Sequence, residues 1–289
     1  MSVQAALLPD GRRLHLQHGP IDLIIEAFGA REEIERAYAQ AVDAFADVLP
    51  LLVTELPVLR TPLGDARPAV AGPVARRMVE ACWPYREDFI TPMAAVAGSV
   101  ADHMLERMLR GVAVRRAYVN DGGDIALHLA PGETLTCGVA HDVTAPALGG
   151  TIALTADMPV RGIATSGRAC KGRGGRSFSF GVADAVTVLA HDGAAADAAA
   201  TVIANAVDLP GHAAVTRVPA CEIDPDSDLG SRLVTLDVAT LDRADVDRAL
   251  RAGVAKAERL RQDGHIYGAV LALQRRFATV GPSLARLAA

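Results

Sequence analysis

At 289 residues, with 51% apolar and 22% charged side chains, the chain has enough apolar surface for a sizeable core and too little charge for disorder. Lys and Arg number 29 against 34 Asp and Glu, a net charge of −5, and aromatic residues make up 4%; charge and stacking capacity both argue against a nucleic-acid surface. The N-terminal stretch lacks a basic segment leading into an apolar run, no span approaches the roughly 18–20 apolar residues of a membrane helix, and Cys82, Cys137, Cys170 and Cys221 are scattered without a C-x-x-C pair, which predicts a cytoplasmic chain, no membrane and reduced, mostly buried thiols.

In chain order, Arg13 to Gln17 and Ile21 to Ile25 read as two strands about a His18-Gly19-Pro20 turn. From Arg31 to about Leu52, Ile34, Tyr38, Ala41, Val42, Phe45 and Val48 recur at steps of three and four. That predicts an amphipathic helix, with Glu32, Glu33 and Glu35 at the favourable end of its dipole. Residues 57–73 hold Pro57, Pro62, Gly64, Pro68, Gly72 and Pro73 and read as a loop. The loop is the place to divide an N-terminal hairpin-and-helix unit, 1–73, from a motif-bearing region, 74–289, within one domain. A second helix starts at Thr91-Pro92, capped by Thr91, and runs to Met108. Its small residues Ala94, Ala95, Ala97, Gly98 and Ala101 let either a neighbouring backbone or a flat ligand come close.

Strand-like runs follow at 112–119, 124–129, 134–139 and 150–156, divided by Gly and Pro as in an antiparallel meander. Ala185 to Ala190 is a strongly apolar strand, His191-Asp192-Gly193 a turn, and Ala194 to about Val207 a helix. A strand at 232–238 and an amphipathic helix from Asp242 to about Arg261 come next, with Gly264, His265, Tyr267 and Gly268 interrupting that last helix. Strands in blocks apart from helices predict an α+β fold, antiparallel sheets flanked by helices. Strand–helix blocks on both sides of residue 112 would suit an old internal duplication.

Most standard signatures are absent: there is no G-x-x-x-x-G-K-[ST], no H-E-x-x-H and no G-x-S-x-G. Gly172-Arg173-Gly174-Gly175 precedes a strand, which argues against a dinucleotide fingerprint. Three segments remain. Asn120-Asp121-Gly122-Gly123-Asp124 suits a hairpin turn; alternatively, its glycines expose backbone N–H groups to an anionic or aromatic ligand, with Asn120 and Asp124 at the rim. Between Gly162 and Ser177, the cations Arg168, Lys171, Arg173 and Arg176 gather in an otherwise acidic chain. Guanidinium groups among glycines suit a phosphate or pyrophosphate, the alternative being a solvated loop. Finally, Asp197, Thr201 and Asn205 form one polar stripe on a small, apolar helix, at about 100° per residue. A carboxylate and a hydroxyl one turn apart could hold a hard cation such as Mg2+, while capping and a solvent face would account for the same residues.

Taken in order, N-x-G-G-D, A-T-S-G and A-D-A-x-x-T, here Asn120 to Asp124, Ala164 to Gly167 and Ala196 to Thr201, resemble the ApbE-type FAD:protein FMN transferases. The whole chain, including Thr91 to Gly98 and Gly181 to Val186, is similar to a branch of that superfamily. The resemblance implies a bilobal α+β fold, FAD as ligand, and Mg2+ at Asp197 and Thr201, beside a pyrophosphate attacked by an acceptor threonine. It departs after A-T-S-G: the transferases carry H-I-I-D-P-x-T-G there, and this chain has Arg168 to Phe180 with neither His nor Pro. An Mg2+-dependent enzyme binding FAD or a similar nucleotide is therefore expected. Thr165, Ser166, Gly167, Arg168, Lys171, Arg173 and Arg176 would engage the phosphates, and Asn120, Gly122, Gly123 and Asp124 would line the pocket. Two alternatives stay open: a non-catalytic flavin carrier or assembly factor for a redox or sulfur-metabolism partner, and an enzyme on another phosphorylated metabolite. The apolar composition and small-residue helix face also suit a homodimer.

Overall fold

The computed structural model describes residues 3–140, 148–168, 178–282 and 285–287. In chain order, strands β1 (Gln4–Leu7), β2 (Leu14–His18) and β3 (Ile21–Gly29) lead into helices α1 (Arg31–Leu59), α2 (Pro73–Cys82) and α3 (Val96–Met108). Six strands follow: β4 (Val114–Asp121), β5 (Asp124–Leu129), β6 (Thr134–Ala140), β7 (Leu148–Thr155), β8 (Gly162–Ser166) and β9 (Ala185–Ala190). Then come α4 (Gly193–Ala206), β10 (Val215–Pro219), the single turn α5 (Ala220–Ile223), β11 (Leu233–Val238) and α6 (Arg243–Gln262). Strands β12 (Gly268–Leu273), β13 (Arg276–Val280) and β14 (Ala285–Leu287) end the chain. The fold is α+β with antiparallel sheets, as the sequence pattern predicts. Two compact units are each assembled from separate stretches: Met1–Leu135, Leu154–Ala164 and Ala190–Ala198 form the first, and Thr136–Ala153, Thr165–Leu189 and Ala199–Ala289 the second.

In the first unit the strands pair in the order β1-β2-β3-β4-β5-β8. Alternation turns Leu14 and Leu16 of β2, Leu23, Ile25 and Ala27 of β3, and Ala117 and Val119 of β4 to one side, where they are buried with Phe45 and Leu52 of α1 and Met104 and Met108 of α3. Each large side chain so buried contributes about 1.5–3 kcal/mol.

Helix α1 runs to Leu59, beyond the expected end near Leu52, and contains Pro50 and Pro57. An interior proline costs about 3 kcal/mol in a helix. Here the buried stripe of Phe45, Val48, Leu52 and Leu59 continues past Pro50, and its packing carries the helix through. The loop read at 57–73 shrinks accordingly. Helix α2 has no counterpart in the sequence reading, because Arg76 and Arg77 interrupt a ten-residue apolar pattern. Its start is nonetheless firm: Pro73 opens it, and the Glu55 carboxylate accepts the N–H groups of Ala71 and Gly72 just before it. The expected second helix is split into a 3-10 turn, Pro92–Ala95, after the extended Thr91, and α3 proper.

In the second unit, β9, β12 and β13 pair in that order, β9 and β12 are buried throughout, and α6 packs on β12 and β13. Helix α6 begins as expected, the Asp242 side chain accepting Asp245 N–H. The segment after it is a turn from helix into strand, not a broken helix: Gly264 follows the end of α6 with φ 80°, and Gly268 opens β12. The turn from β12 to β13 places Gln274 and Arg275 at φ 43° and 65°, positions where a sequence pattern looks for Gly or Asn. Strands β10 and β11 form a two-stranded ribbon with a bulge between Thr216 and Arg217, and β14, β7 and β6 form a three-stranded sheet. No helix among the described residues is long and apolar enough to cross a membrane.

Candidate functional site

The first N–H groups of a helix need partners from outside it. At the start of α4, Asp192 Oδ1 accepts from Ala195 N at 2.7 Å. Asp102 of α3 takes the two before it, Gly193 N on Oδ1 at 2.9 Å and Ala194 N on Oδ2 at 2.8 Å. In return, Asp197 Oδ2 of α4 accepts from Gly98 N, in the first turn of α3, at 3.0 Å. The helices meet at glycine: a Cβ on Gly98 would stand 2.2 Å from Gly193 O, and one on Gly162 1.8 Å from Asp192 O. Of the two expectations for the small-residue face of α3, close backbone approach is the one seen at Gly98.

Burial, and then the Asp192 charge, push the Asp102 carboxyl up to about 7, against the pull of the Ala194 and Gly193 N–H groups and of Arg77. For Asp192 burial acts upward, yet hydrogen bonds from His191 and the Ala195 N–H outweigh it and hold the group below the usual carboxylate range. His191 is raised in turn, chiefly by its hydrogen bond to Asp192. Burial first, and then the Asp197 charge, raise the Cys82 thiol well above its ordinary value, so Cys82 is an inert core thiol.

Helix α4 buries Ala196, Ala198, Ala199, Ala200, Val202, Ile203 and Ala204, while Asp197, Thr201 and Asn205 are only half-buried. The polar stripe is thus the less buried side of the helix. Asn205 already serves the fold: its Oδ1 accepts from Phe180 N at 2.9 Å and Ser179 Oγ at 3.2 Å.

The Asn120 to Asp124 segment is the hairpin turn between β4 and β5. Asp121 pairs with Asp124 across Gly122 and Gly123, at φ 62° and 113°, and Asn120 Oδ1 accepts Gly123 N at 2.8 Å. A Cβ on either glycine would meet nothing within 4 Å, so conformation alone calls for glycine here. Strand register places Asn120 beside Ile24 and Ile125, with Tyr118 and Glu26 next along the same face, the one turned away from α1 and α3. Tyr118 Oη donates to Glu26 Oε2 at 3.0 Å. Burial and then Asp124 push the Asp121 carboxyl up to about 8, while an N–H bond from Asp22 pulls it down. Asp102, Tyr118 and Glu26 escape the sequence reading. The available signals are acids set against apolar neighbours, Asp102 after Val100 and Ala101, and Glu26 between Ile25 and Ala27.

In the second unit, Thr165 Oγ1 lies 2.9 Å from Thr187 Oγ1, and Ser166 is buried. Gly167, at φ 138°, has Asp184 O 2.4 Å from where a Cβ would stand. Arg168, expected at a phosphate, is 3.5 Å from Asp237 Oδ1. Lys171, Arg173, Arg176 and Cys170 lie outside the described residues. Cys137 is half-buried, and Cys221 is exposed, which corrects the expectation of a core thiol there because α5 is a single surface turn. Among the described residues, no group of three or more His, Cys, Asp or Glu side chains is arranged to hold a metal ion.

An α+β chain with these motifs falls into the ApbE-like class. The family model described as AbpE bacteria matches residues 5–280, and the chain belongs to that family. It is 36% identical over 140 residues to a UPF0280 protein of Methanothermobacter thermautotrophicus, a match covering 48% of this chain and 50% of that one. To a UPF0280 protein of Methanosphaerula palustris it is 40% identical over 119 residues, covering 41% and 47%. The chain thus spans about half the length of the curated relatives it matches. Among solved structures, a mutant of the flavin transferase ApbE from Vibrio cholerae aligns with 94% of this chain and 98% of its own, at 14% identity and a TM-score of 0.44.

Proposed function

We propose that the chain binds a flavin nucleotide together with a divalent cation, the cation on Asp197 and Thr201 of α4. The observation that carries this reading is the one-sided polarity of α4, where a carboxylate and a hydroxyl four residues apart occupy the less buried side of an otherwise buried alanine-rich helix. Family membership supports the flavin. The donor chemistry fits a hard cation such as Mg2+: both groups offer oxygen, and the remaining positions would fall to phosphate oxygens, carbonyls and water. When bound, such a cation supplies charge stabilisation at a pyrophosphate. The chain's own residues hold and orient. Thr165, Ser166, Gly167, Arg168, Lys171, Arg173 and Arg176 are the phosphate-side groups in this reading, with Asn120, Gly122, Gly123 and Asp124 as a rim.

Titration of metal-free protein with FAD, following flavin fluorescence and the single Trp83, tests it. Saturable binding that Mg2+ strengthens is expected, and Asp197→Ala should remove the Mg2+ effect. FAD affinity indifferent to both Mg2+ and the substitution would sink the metal assignment. The lack of His and Pro from Arg168 to Phe180 favours a second reading, a flavin carrier or assembly factor for a redox partner that holds the nucleotide without turnover. Release of AMP from FAD separates the two.

A further inference from the structure

We propose that Asp102 is the positioning residue for Asp197, the two carboxylates forming one reciprocal clamp across the meeting of α3 and α4. The pattern G-x-x-x-D occurs once on each helix, as Gly98 to Asp102 and as Gly193 to Asp197. In both cases the glycine stands at the point of closest approach, and the aspartate lies one turn beyond it. Each aspartate accepts first-turn N–H groups of the other helix: Asp197 takes Gly98 N, and Asp102 takes Gly193 N and Ala194 N. The contact has no slack, because a Cβ on Gly98 would lie 2.2 Å from Gly193 O and one on Gly193 3.0 Å from Gly98 O. Helix α4 therefore has one axial register against α3, and Asp102 sets it from the N-terminal end with both carboxylate oxygens. Asp197 sits one turn further along the same rigid helix, so its placement follows from that register.

The charged groups facing Asp102 are Arg77 of α2 and Asp192 and His191 of the turn before α4. Asp192 takes the Ala195 N–H instead, and none of the three accepts from the N–H groups that Asp102 holds, so none replaces it. A cap that acted only locally would steady Gly193 and Ala194 and leave Gly98 alone. A clamp ties the two ends together.

The metal-linked part of this inference rests on the reading that Asp197 holds a cation, and the experiment separates the two. Mn2+ affinity of the full chain is measured by calorimetry, and amide exchange at Gly98, Gly193 and Ala194 by NMR, for the wild type, Asp102→Asn, Asp102→Ser and Asp197→Asn. The serine variant removes both carboxylate acceptors without setting an amide donor against the Gly193 and Ala194 N–H groups, and serves if the asparagine variant does not fold. The expected result is Mn2+ binding weakened roughly tenfold in Asp102→Asn, the size typical when a supporting partner of a metal ligand is lost. Exchange should also quicken at Gly98, whose N–H is held by Asp197 and not by Asp102, and in Asp197→Asn at Gly193 and Ala194, whose N–H groups are held by Asp102 and not by Asp197. Asp102→Ser should shift both readouts in the same direction. Unchanged exchange at Gly98 in a folded Asp102 variant overturns the clamp, as does unchanged Mn2+ affinity in a variant of a wild type that binds. If the wild type binds no Mn2+ at any concentration, the cation assignment fails by itself. The cross-helix exchange then still decides whether Asp102 positions Asp197.

Discussion

Two glycine-rich places in the first unit look alike as sequence and differ completely as structure. Around the start of α4, Gly98 of α3 and Gly162 of β8 are glycines because backbone oxygens stand 2.2 Å and 1.8 Å from where a Cβ would be. At the β4–β5 turn, Gly122 and Gly123 have open space around them and are glycines because of φ 62° and 113°. One place is crowded and conformationally ordinary; the other is roomy and conformationally demanding. Each also holds a carboxyl that burial has raised toward neutrality, Asp102 to about 7 and Asp121 to about 8. The partners differ again: Asp102 braces the start of a helix through two N–H groups, whereas Asp121 faces Asp124 across a turn. Crowding fixes the geometry at the first place, and backbone conformation alone fixes it at the second.

The comparison breaks most sharply at Gly162. Alanine there forces backbone apart, since Asp192 O cannot move as a flexible side chain would. A loss of about 3 kcal/mol or more is expected, beyond ordinary overpacking, and urea denaturation of Gly162→Ala would show it as a lower midpoint at unchanged slope. A stability near that of the wild type would mean the contact is not what requires glycine.

Next in size is the pH dependence carried by Asp121. Its folded value of about 8 lies above its ordinary value of 3.8, so the native chain holds this proton more tightly than the unfolded chain does. The stabilisation from this group is therefore complete at acid pH and is lost as pH rises from about 4 through about 8. Asp121→Asn mimics the neutral acid. It should leave the melting temperature unchanged near pH 4 and raise it by several degrees near pH 8.5, as thermal melts at the two pH values would show. A gain of equal size at both would point to a cause other than titration.

The sequence pattern reads α4, α6 and the β4–β5 hairpin correctly because each has a local cause: an apolar, alanine-rich run, an Asp at the helix start, adjacent glycines in a turn. What escapes has a non-local one. Helix α1 continues beyond Leu52 to Leu59 on the strength of packing, and the β12–β13 turn uses Gln274 and Arg275 where pattern expects Gly or Asn. Asp102 is legible only as an acid following Val100 and Ala101, because its partners lie about 90 residues away in the chain. The motif residues Asn120, Gly167 and Asp197 were visible by type and spacing. Their present hydrogen bonds and contacts, to Gly123, Asp184 and Gly98, could not be read from the chain.

The same comparison is sharpened by smaller changes at the turn. Gly122 has the left-handed conformation at φ 62°, which alanine adopts at a cost of about 1 kcal/mol and asparagine adopts more readily. Gly122→Ala should therefore lower stability by roughly that amount and Gly122→Asn by only a few tenths, both read from urea midpoints. A large loss in both would mean that hidden crowding, not conformation, governs this turn too.

Arg168 carries the smallest expected effect on stability and separates structure from binding. Its guanidinium sits 3.5 Å from an Asp237 carboxylate whose side chain is 72% exposed. A solvent-screened pair of that kind contributes at most about 1 kcal/mol. Arg168→Ala and Asp237→Ala should each shift the melting temperature little, and both by similar amounts. Their effects on nucleotide binding should diverge. If Arg168 serves a phosphate, Arg168→Ala weakens FAD binding, whereas Asp237→Ala, by freeing the guanidinium from its competitor, strengthens it. Parallel weakening by both substitutions would mean that the ion pair itself shapes the loop and that the cation has no direct part in binding.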